Sequence, residues 1–375
     1  MLLLPGDVYA SRRPDPVLQQ VEDFGDGTVS VNDCFKPVSR YFDRIARPEQ
    51  LIPALNRAMV VLTDPADCGP VTLSMCQDTQ AEAYDYPENF FDEKIWTTRR
   101  MRPDEDELAE AVRVLKTAKK PVIIAGGGAL FSEASAQLAS FAEAHGIPVV
   151  ETQGGKSSLP FTHPLNMGAV GVTGTAASNK VCEEADVILA VGTRLQDFTT
   201  GSWTLFKNAK RTIIGLNTQV FDATKHRALA VVGDARETIE ELAAAAKGWK
   251  ADAGWTAKSK DLFAGWNRAL DGYQKRTNAP VPTYAQVVGV VNAKAGERDY
   301  VITAAGGLPG ELMKNWRVKS ANSFDVEFGF SCMGYEIAGG WGAAMADPTR
   351  QTIVMVGDGT YMMMNSDIYS TVLTG

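Results

Sequence analysis

Gln351-Thr-Ile-Val-Met-Val-Gly-Asp-Gly-Thr360 is the stretch on which the reading of this chain turns. Thr352 through Val356 form an apolar, β-branched run of the length of a buried strand, and it opens directly into Gly357-Asp358-Gly359. Parallel sheets gather their ligands at the carboxyl ends of strands. Two glycines there let backbone N–H groups approach a phosphate oxygen, and Asp358 supplies the hard carboxylate oxygen that Mg²⁺ prefers. Taken alone, the tripeptide fits a plain β-turn equally well.

The preceding fifty residues repeat the pattern. Thr303-Ala-Ala-Gly-Gly-Leu-Pro-Gly310 follows a strand expected over 300–304, again with glycines at its carboxyl end. Between the two lies Phe328-Gly-Phe-Ser-Cys-Met-Gly-Tyr-Glu-Ile-Ala-Gly-Gly-Trp-Gly342, a glycine-rich loop running into a helix of small residues over 337–346. In this order the three segments resemble the diphosphate-binding domain of the thiamine-diphosphate enzymes of the acetolactate synthase superfamily. The resemblance implies that thiamine diphosphate is held by Gly306, Gly307 and Leu308, by Ser331, Met333 and Gly334, and by Gly357, Asp358, Gly359 and Thr360. It also implies Mg²⁺ on Asp358, with a second metal ligand beyond Gly375, and a role for Met333 in propping the cofactor's two rings into a bent shape. Without it, Met333 reads as a core methionine and residues 306–308 as a turn or helix cap.

Further segments resemble one branch of that superfamily, which hydrolyses a carbon–carbon bond of a cyclic 1,2-diketone during the breakdown of myo-inositol. They are Gly69-Pro-Val-Thr-Leu-Ser-Met-Cys-Gln-Asp78, Ala81-Glu-Ala-Tyr-Asp-Tyr-Pro87, Glu151-Thr-Gln-Gly-Gly-Lys-Ser157, His163-Pro-Leu-Asn-Met-Gly168 and Gly192-Thr-Arg-Leu-Gln-Asp-Phe-Thr-Thr-Gly-Ser-Trp203. This branch implies a small polyhydroxylated cyclic diketone as substrate and a cytoplasmic homodimer or homotetramer. The family's catalytic glutamate lies on an early strand that is missing from this chain, so no catalytic residue is assigned. Two other readings stay open: a carboligase or decarboxylase acting on 2-oxo acids, and a non-catalytic fragment or binding module.

Composition narrows the partners. A net charge of −8 and a pI near 5.1 disfavour nucleic acid and anionic membranes, both of which select basic patches. Five scattered cysteines without a Cys-x-x-Cys pair suggest neither a disulfide framework nor a zinc site. Met1-Leu-Leu-Leu4 has no basic flank and is too short for a signal peptide or a membrane span, so it reads as the stub of an internal strand. With the chain stopping shortly after Gly359, an internal fragment of a longer enzyme is expected.

The expected fold class is α/β, with parallel-sheet domains of the thiamine-diphosphate enzyme type, the first and last incomplete. Residues 1–100 read as the C-terminal part of a pyrimidine-binding domain, with strands over 2–4 and 70–74, a Pro/Asp/Gly-rich stretch over 14–27 and a helix over 49–61. Residues 101–250 read as a central Rossmann-like domain, with strands over 121–125, 147–150, 187–191, 212–216 and 229–232 and helices over 105–116, 132–144, 175–184 and 236–246. Residues 251–282 read as a partly helical connector laid over a surface, and 283–375 as the N-terminal part of the diphosphate-binding domain. Gly126-Gly-Gly128 lacks the third glycine of G-x-G-x-x-G, where Phe131 stands, and favours a packing turn over a dinucleotide loop, although adenine-nucleotide binding stays open. Lys156, His163, Arg194 and Asp197 fall in loops at carboxyl ends of central strands, where they could face a polyhydroxylated substrate. His145 and His226 have no ligand-spaced partner and read as surface histidines.

Overall fold

A computed structural model describes residues 1–11, 20, 23–277 and 279–374; part of the stretch over 14–27 lies outside the described residues. Two compact units emerge, Met1–Arg100 and Met101–Gly375.

The first unit holds β1 (Leu2–Leu3), β2 (Gly6–Asp7), β3 (Tyr41–Ile45) and β4 (Val71–Cys76), all parallel to β4. β1 and β2 pair with β4 in one register, Leu2 opposite Val71 and Gly6 opposite Met75. They are one strand interrupted at Pro5, which has no N–H to give, although its carbonyl still accepts from Met75 N–H at 2.8 Å. The helix Leu51–Thr63 lays Ala54 and Ala58 on Ile45, Val71 and Leu73. β3 lies outside the sequence expectation because Asp43 and Arg44 interrupt its apolar pattern. Arg44 is satisfied by Asp7 at 2.7 Å and Asp33 at 2.9 Å.

The second unit contains a six-stranded parallel sheet of β5 (Pro121–Ala125), β6 (Val149–Glu151), β7 (Asn166–Ala169), β8 (Val187–Val191), β9 (Thr212–Asn217) and β10 (Leu229–Val232). Its order is β10-β9-β8-β5-β6-β7, so the winding reverses between β5 and β8. Such a switch point opens a crevice in most doubly wound sheets. Here backbone fills it: a Cβ on Gly126 would stand 2.3 Å from the Gly192 carbonyl oxygen, and one on Gly128 2.6 Å from Gly192 Cα. The triple glycine thus lets the loops after β5 and β8 close on each other.

Three expectations need correction. The helix expected over 132–144 is two helices, Gly127–Phe131 and Ser135–His145, because Ser132 ends the first and Glu133 takes a φ of 56° between them. β7 was not anticipated, since Asn166 and Gly168 break its pattern. Asn166 secures it by donating to the Leu159 carbonyl at 3.1 Å and accepting from Gly168 N–H at 2.8 Å. The stretch read as a partly helical connector carries the helix Ala253–Gln274, whose buried Trp255 donates Nε1–H to the Pro121 carbonyl at 2.8 Å. His145 is buried, with Nδ1 2.7 Å from the Trp249 carbonyl oxygen and its ring against Phe141; a satisfied core histidine needs no ligand spacing.

A second, three-stranded parallel sheet completes this unit: β11 (Tyr300–Thr303), β12 (Phe324–Val326) and β13 (Thr352–Val354), in the order β12-β11-β13. The loop after β6 ties the two sheets together. Buried Lys156 donates to the Met313 carbonyl at 2.9 Å, and Asn322 N–H to the Ser157 carbonyl at 3.0 Å. Burial lowers the Lys156 ammonium to about 8 against the opposing pull of Glu151, and raises the Glu151 carboxyl. Among the described residues, no helix is long and apolar enough to cross a membrane.

Candidate active site

Because β12 and β13 flank β11 in parallel, the three chain exits lie along one edge of the sheet. Each exit bends into a helix. Gly306, at φ 122°, precedes Gly307–Asn315; Gly334, at φ 108°, precedes Tyr335–Ala346; Gly357 precedes Asp358–Met364. The positive φ values at Gly306 and Gly334 are readily reached only without a Cβ. A Cβ on Gly334 would also overlap Met364 Cγ, at 2.3 Å.

The second and third bends touch. A Cβ on Gly359 would stand 3.1 Å from Met333 Cε, so the methionine side chain lies against the Gly-Asp-Gly turn. Gly306 and Ser331, from the first and second bends, line a common cavity of about 500 Å³. Gly307 faces the Tyr284 ring, and Leu308 packs partly into the apolar cluster around Val301 and Leu312, leaving only backbone to offer a ligand. Asp358 is exposed, with Oδ1 accepting from Gly359 N–H at 2.9 Å. It does not line the cavity, nor do Gly357 and Thr360.

Thr360 is 1% exposed, yet its hydroxyl has no partner among the described residues. Buried hydroxyls normally find one. The space beside Gly357 is open. An unpaired hydroxyl, an open glycine and an accessible carboxylate in four consecutive residues suit a metal-bound oxyanion. Among the described residues, no three His, Cys, Asp or Glu side chains converge.

Two carboxylates that sequence reading passed over hold the second bend. Glu327 accepts from Phe330 N–H at 2.9 Å and Cys332 N–H at 2.6 Å. Glu336, fully buried, accepts from Gly334 N–H at 3.0 Å through Oε2. The available signal was an acid two residues after a glycine at a helix start, where a carboxylate can cap a free N–H. Of the four loop charges singled out, Lys156 is absorbed in tying the sheets, His163 accepts from Leu165 N–H at 3.2 Å, and Arg194 is exposed. Only Asp197 reaches the cavity, beside Gln153 and Thr173, which were not anticipated.

Residues 108–242 match the family profile described as thiamine pyrophosphate enzyme, central domain, and residues 304–373 that described as thiamine pyrophosphate enzyme, C-terminal TPP binding domain. The chain belongs to the thiamine pyrophosphate enzymes. β5 through β10 fall within the first thiamine pyrophosphate enzyme match, and all three glycine bends within the second. The chain is 40% identical to the 3D-(3,5/4)-trihydroxycyclohexane-1,2-dione hydrolase of Bacillus cereus (strain AH820), over 99% of its own length and 61% of the relative's. Against the protein of the same name from Geobacillus thermodenitrificans (strain NG80-2) it is 40% identical, over 100% of its length and 62% of the relative's. It therefore spans about three fifths of the curated relatives it matches.

Proposed function

We propose that this chain forms part of a thiamine-diphosphate- and Mg²⁺-dependent hydrolase that cleaves trihydroxycyclohexane-1,2-dione to 5-deoxy-glucuronate in myo-inositol catabolism. The observation carrying the reading is the convergence of three glycine bends on one sheet edge, in a chain 40% identical along 99% of its length to a hydrolase of that name. When bound, thiamine diphosphate would supply the electron sink for breaking the carbon–carbon bond.

The residues have separable tasks. Asp358 would take the metal, and the Gly357, Gly359 and Thr360 amides together with the Thr360 hydroxyl would take phosphate oxygens. Gly306, Gly307 and Leu308 would add amides from the first bend. Ser331, Met333 and Gly334 would set the ring end of the cofactor, held in place by Glu327 and Glu336. No residue of this chain is assigned the role of the family's catalytic glutamate. The assembly is proposed to be a homodimer or homotetramer, in which a pyrimidine domain of one subunit faces a diphosphate domain of another.

The test is turnover by purified protein carrying this chain, supplied with thiamine diphosphate and Mg²⁺ and offered either the cyclic dione or pyruvate. Loss of dione with formation of 5-deoxy-glucuronate is expected. Acetolactate formation without dione turnover would reject the assignment in favour of a carboligase.

A further inference from the structure

We propose that Gln153, Thr173 and Asp197 form a wall that reads the hydroxyl groups of a neutral cyclic polyol. This rests on the reading given under Proposed function and assigns to it the residues that select the substrate.

The cavity of about 500 Å³ opens where the loops after β6, β7 and β8 face those after β11 and β12. Its size is that of a small-molecule site. On the three-stranded side the lining is mostly apolar, with Ala304, Ala305, Met313 and Val326 beside Ser331. The opposite wall is polar and ordered. Gln153 is 4% exposed; its Nε2 donates to Thr173 Oγ1 at 3.1 Å and its Oε1 accepts from Thr199 Oγ1 at 3.4 Å. These bonds fix which end of the amide points where. A hydroxyl has one proton to donate. Thr173 already accepts from Gln153 and has no acceptor for its own proton among the described residues, so it is free to donate to a ligand.

Asp197 adds a carboxylate that has neither an ion pair nor a hydrogen bond among the described residues. Its two oxygens can accept from adjacent hydroxyls of one ring. Phe198 and Phe328 supply apolar faces for the ring carbons. Among the described residues no Lys, Arg or His lines the cavity, and the one charged side chain there is acidic. Against this wall a phosphate would meet Asp197 without a compensating cation, which leaves the cofactor's diphosphate to the glycine bends on the other side, whereas a neutral polyol meets here the donors and acceptors it needs.

The test uses protein carrying this chain, loaded with thiamine diphosphate and Mg²⁺, and its Asp197→Ala, Asp197→Asn and Thr173→Val variants. Calorimetry measures myo-inositol binding independently of turnover, steady-state kinetics measures KM and kcat for the dione, and thiamine diphosphate affinity reports an intact cofactor site. Asp197→Ala should weaken myo-inositol binding about ten- to hundredfold and raise KM for the dione more than it lowers kcat, with cofactor affinity unchanged; Asp197→Asn should fall between. Wild type that binds myo-inositol through Asp197 but leaves the dione intact would refute the assigned reaction and uphold the wall. Turnover of the dione with Asp197→Ala and Thr173→Val both indistinguishable from wild type would overturn the wall and uphold the reaction. Tighter binding of ADP than of myo-inositol in this cavity, or no myo-inositol binding by wild type, would also overturn the wall.

Discussion

Replacing Lys156 by Met tests how the two sheets of the second unit are joined. The ammonium donates to the Met313 carbonyl at 2.9 Å and lies over the Phe324 ring, 5.4 Å from its centroid. Removing it leaves a buried carbonyl unpaired, which costs about 1–3 kcal/mol. It also leaves Glu151 buried without its opposing charge. Glu151 keeps its bond from Leu159 N–H at 3.1 Å, which limits the damage; a buried pair broken on one side costs about 3–5 kcal/mol in total. Urea unfolding followed by tryptophan fluorescence should show a loss of that size for Lys156→Met. The double variant Glu151→Gln, Lys156→Met should recover at least about 1 kcal/mol of it, because no uncompensated charge then remains. Stability should also depend on pH with a definite sign. Native Lys156 titrates at about 8 and its unfolded form near 10.5, so between those values the unfolded chain holds a proton that the native chain lacks. Stability therefore rises with pH across that window, and Lys156→Met should abolish the rise. A single variant within about 0.5 kcal/mol of wild type, or a double variant worse than the single, would refute the reasoning.

Two further outcomes follow from other sites. Thr360→Val removes a buried hydroxyl without a partner among the described residues, so it should leave thermal stability unchanged or raised while weakening thiamine diphosphate binding by about 0.5–1.5 kcal/mol; a thermal-shift series with and without cofactor separates the two effects. In the first unit, burial pushes the Asp33 carboxyl up, but Lys36, the Ser30 N–H and Arg44 outweigh it and hold it at about 2, against 3.8 ordinarily. Its contribution is complete above 3.8 and is lost as pH falls towards 2, so Asp33→Asn should flatten that part of the acid-unfolding curve.

Where sequence and structure agree, a single physical signal dominates. β5 and β8 are uninterrupted apolar runs buried within a parallel sheet, β10 is a half-buried apolar run at its edge, and the boundaries of all three match the expected spans residue for residue. The edge strands β3 and β7 carry no such signal, because Arg44 and Asn166 are polar groups satisfied by partners far along the chain or in a loop. The helix break at Ser132–Glu133 depends on one left-handed residue, which no periodicity announces. At the candidate site, the glycines and Asp358 were legible because a close backbone approach demands those residue types. Glu327 and Glu336 were not, since an acid clamping a loop looks like any solvated acid until its burial is known. Gln153 and Thr173 reach the cavity only through the juxtaposition of two sheets.

A crystal structure of protein carrying this chain, grown with thiamine diphosphate and Mg²⁺, tests the central claim most directly. The account requires a metal peak about 2.0–2.1 Å from an Asp358 carboxylate oxygen, with phosphate oxygens accepting from the amides of residues 357–360 and from the Thr360 hydroxyl. A diphosphate bound elsewhere, or a metal with Asp358 outside its coordination shell, would contradict it.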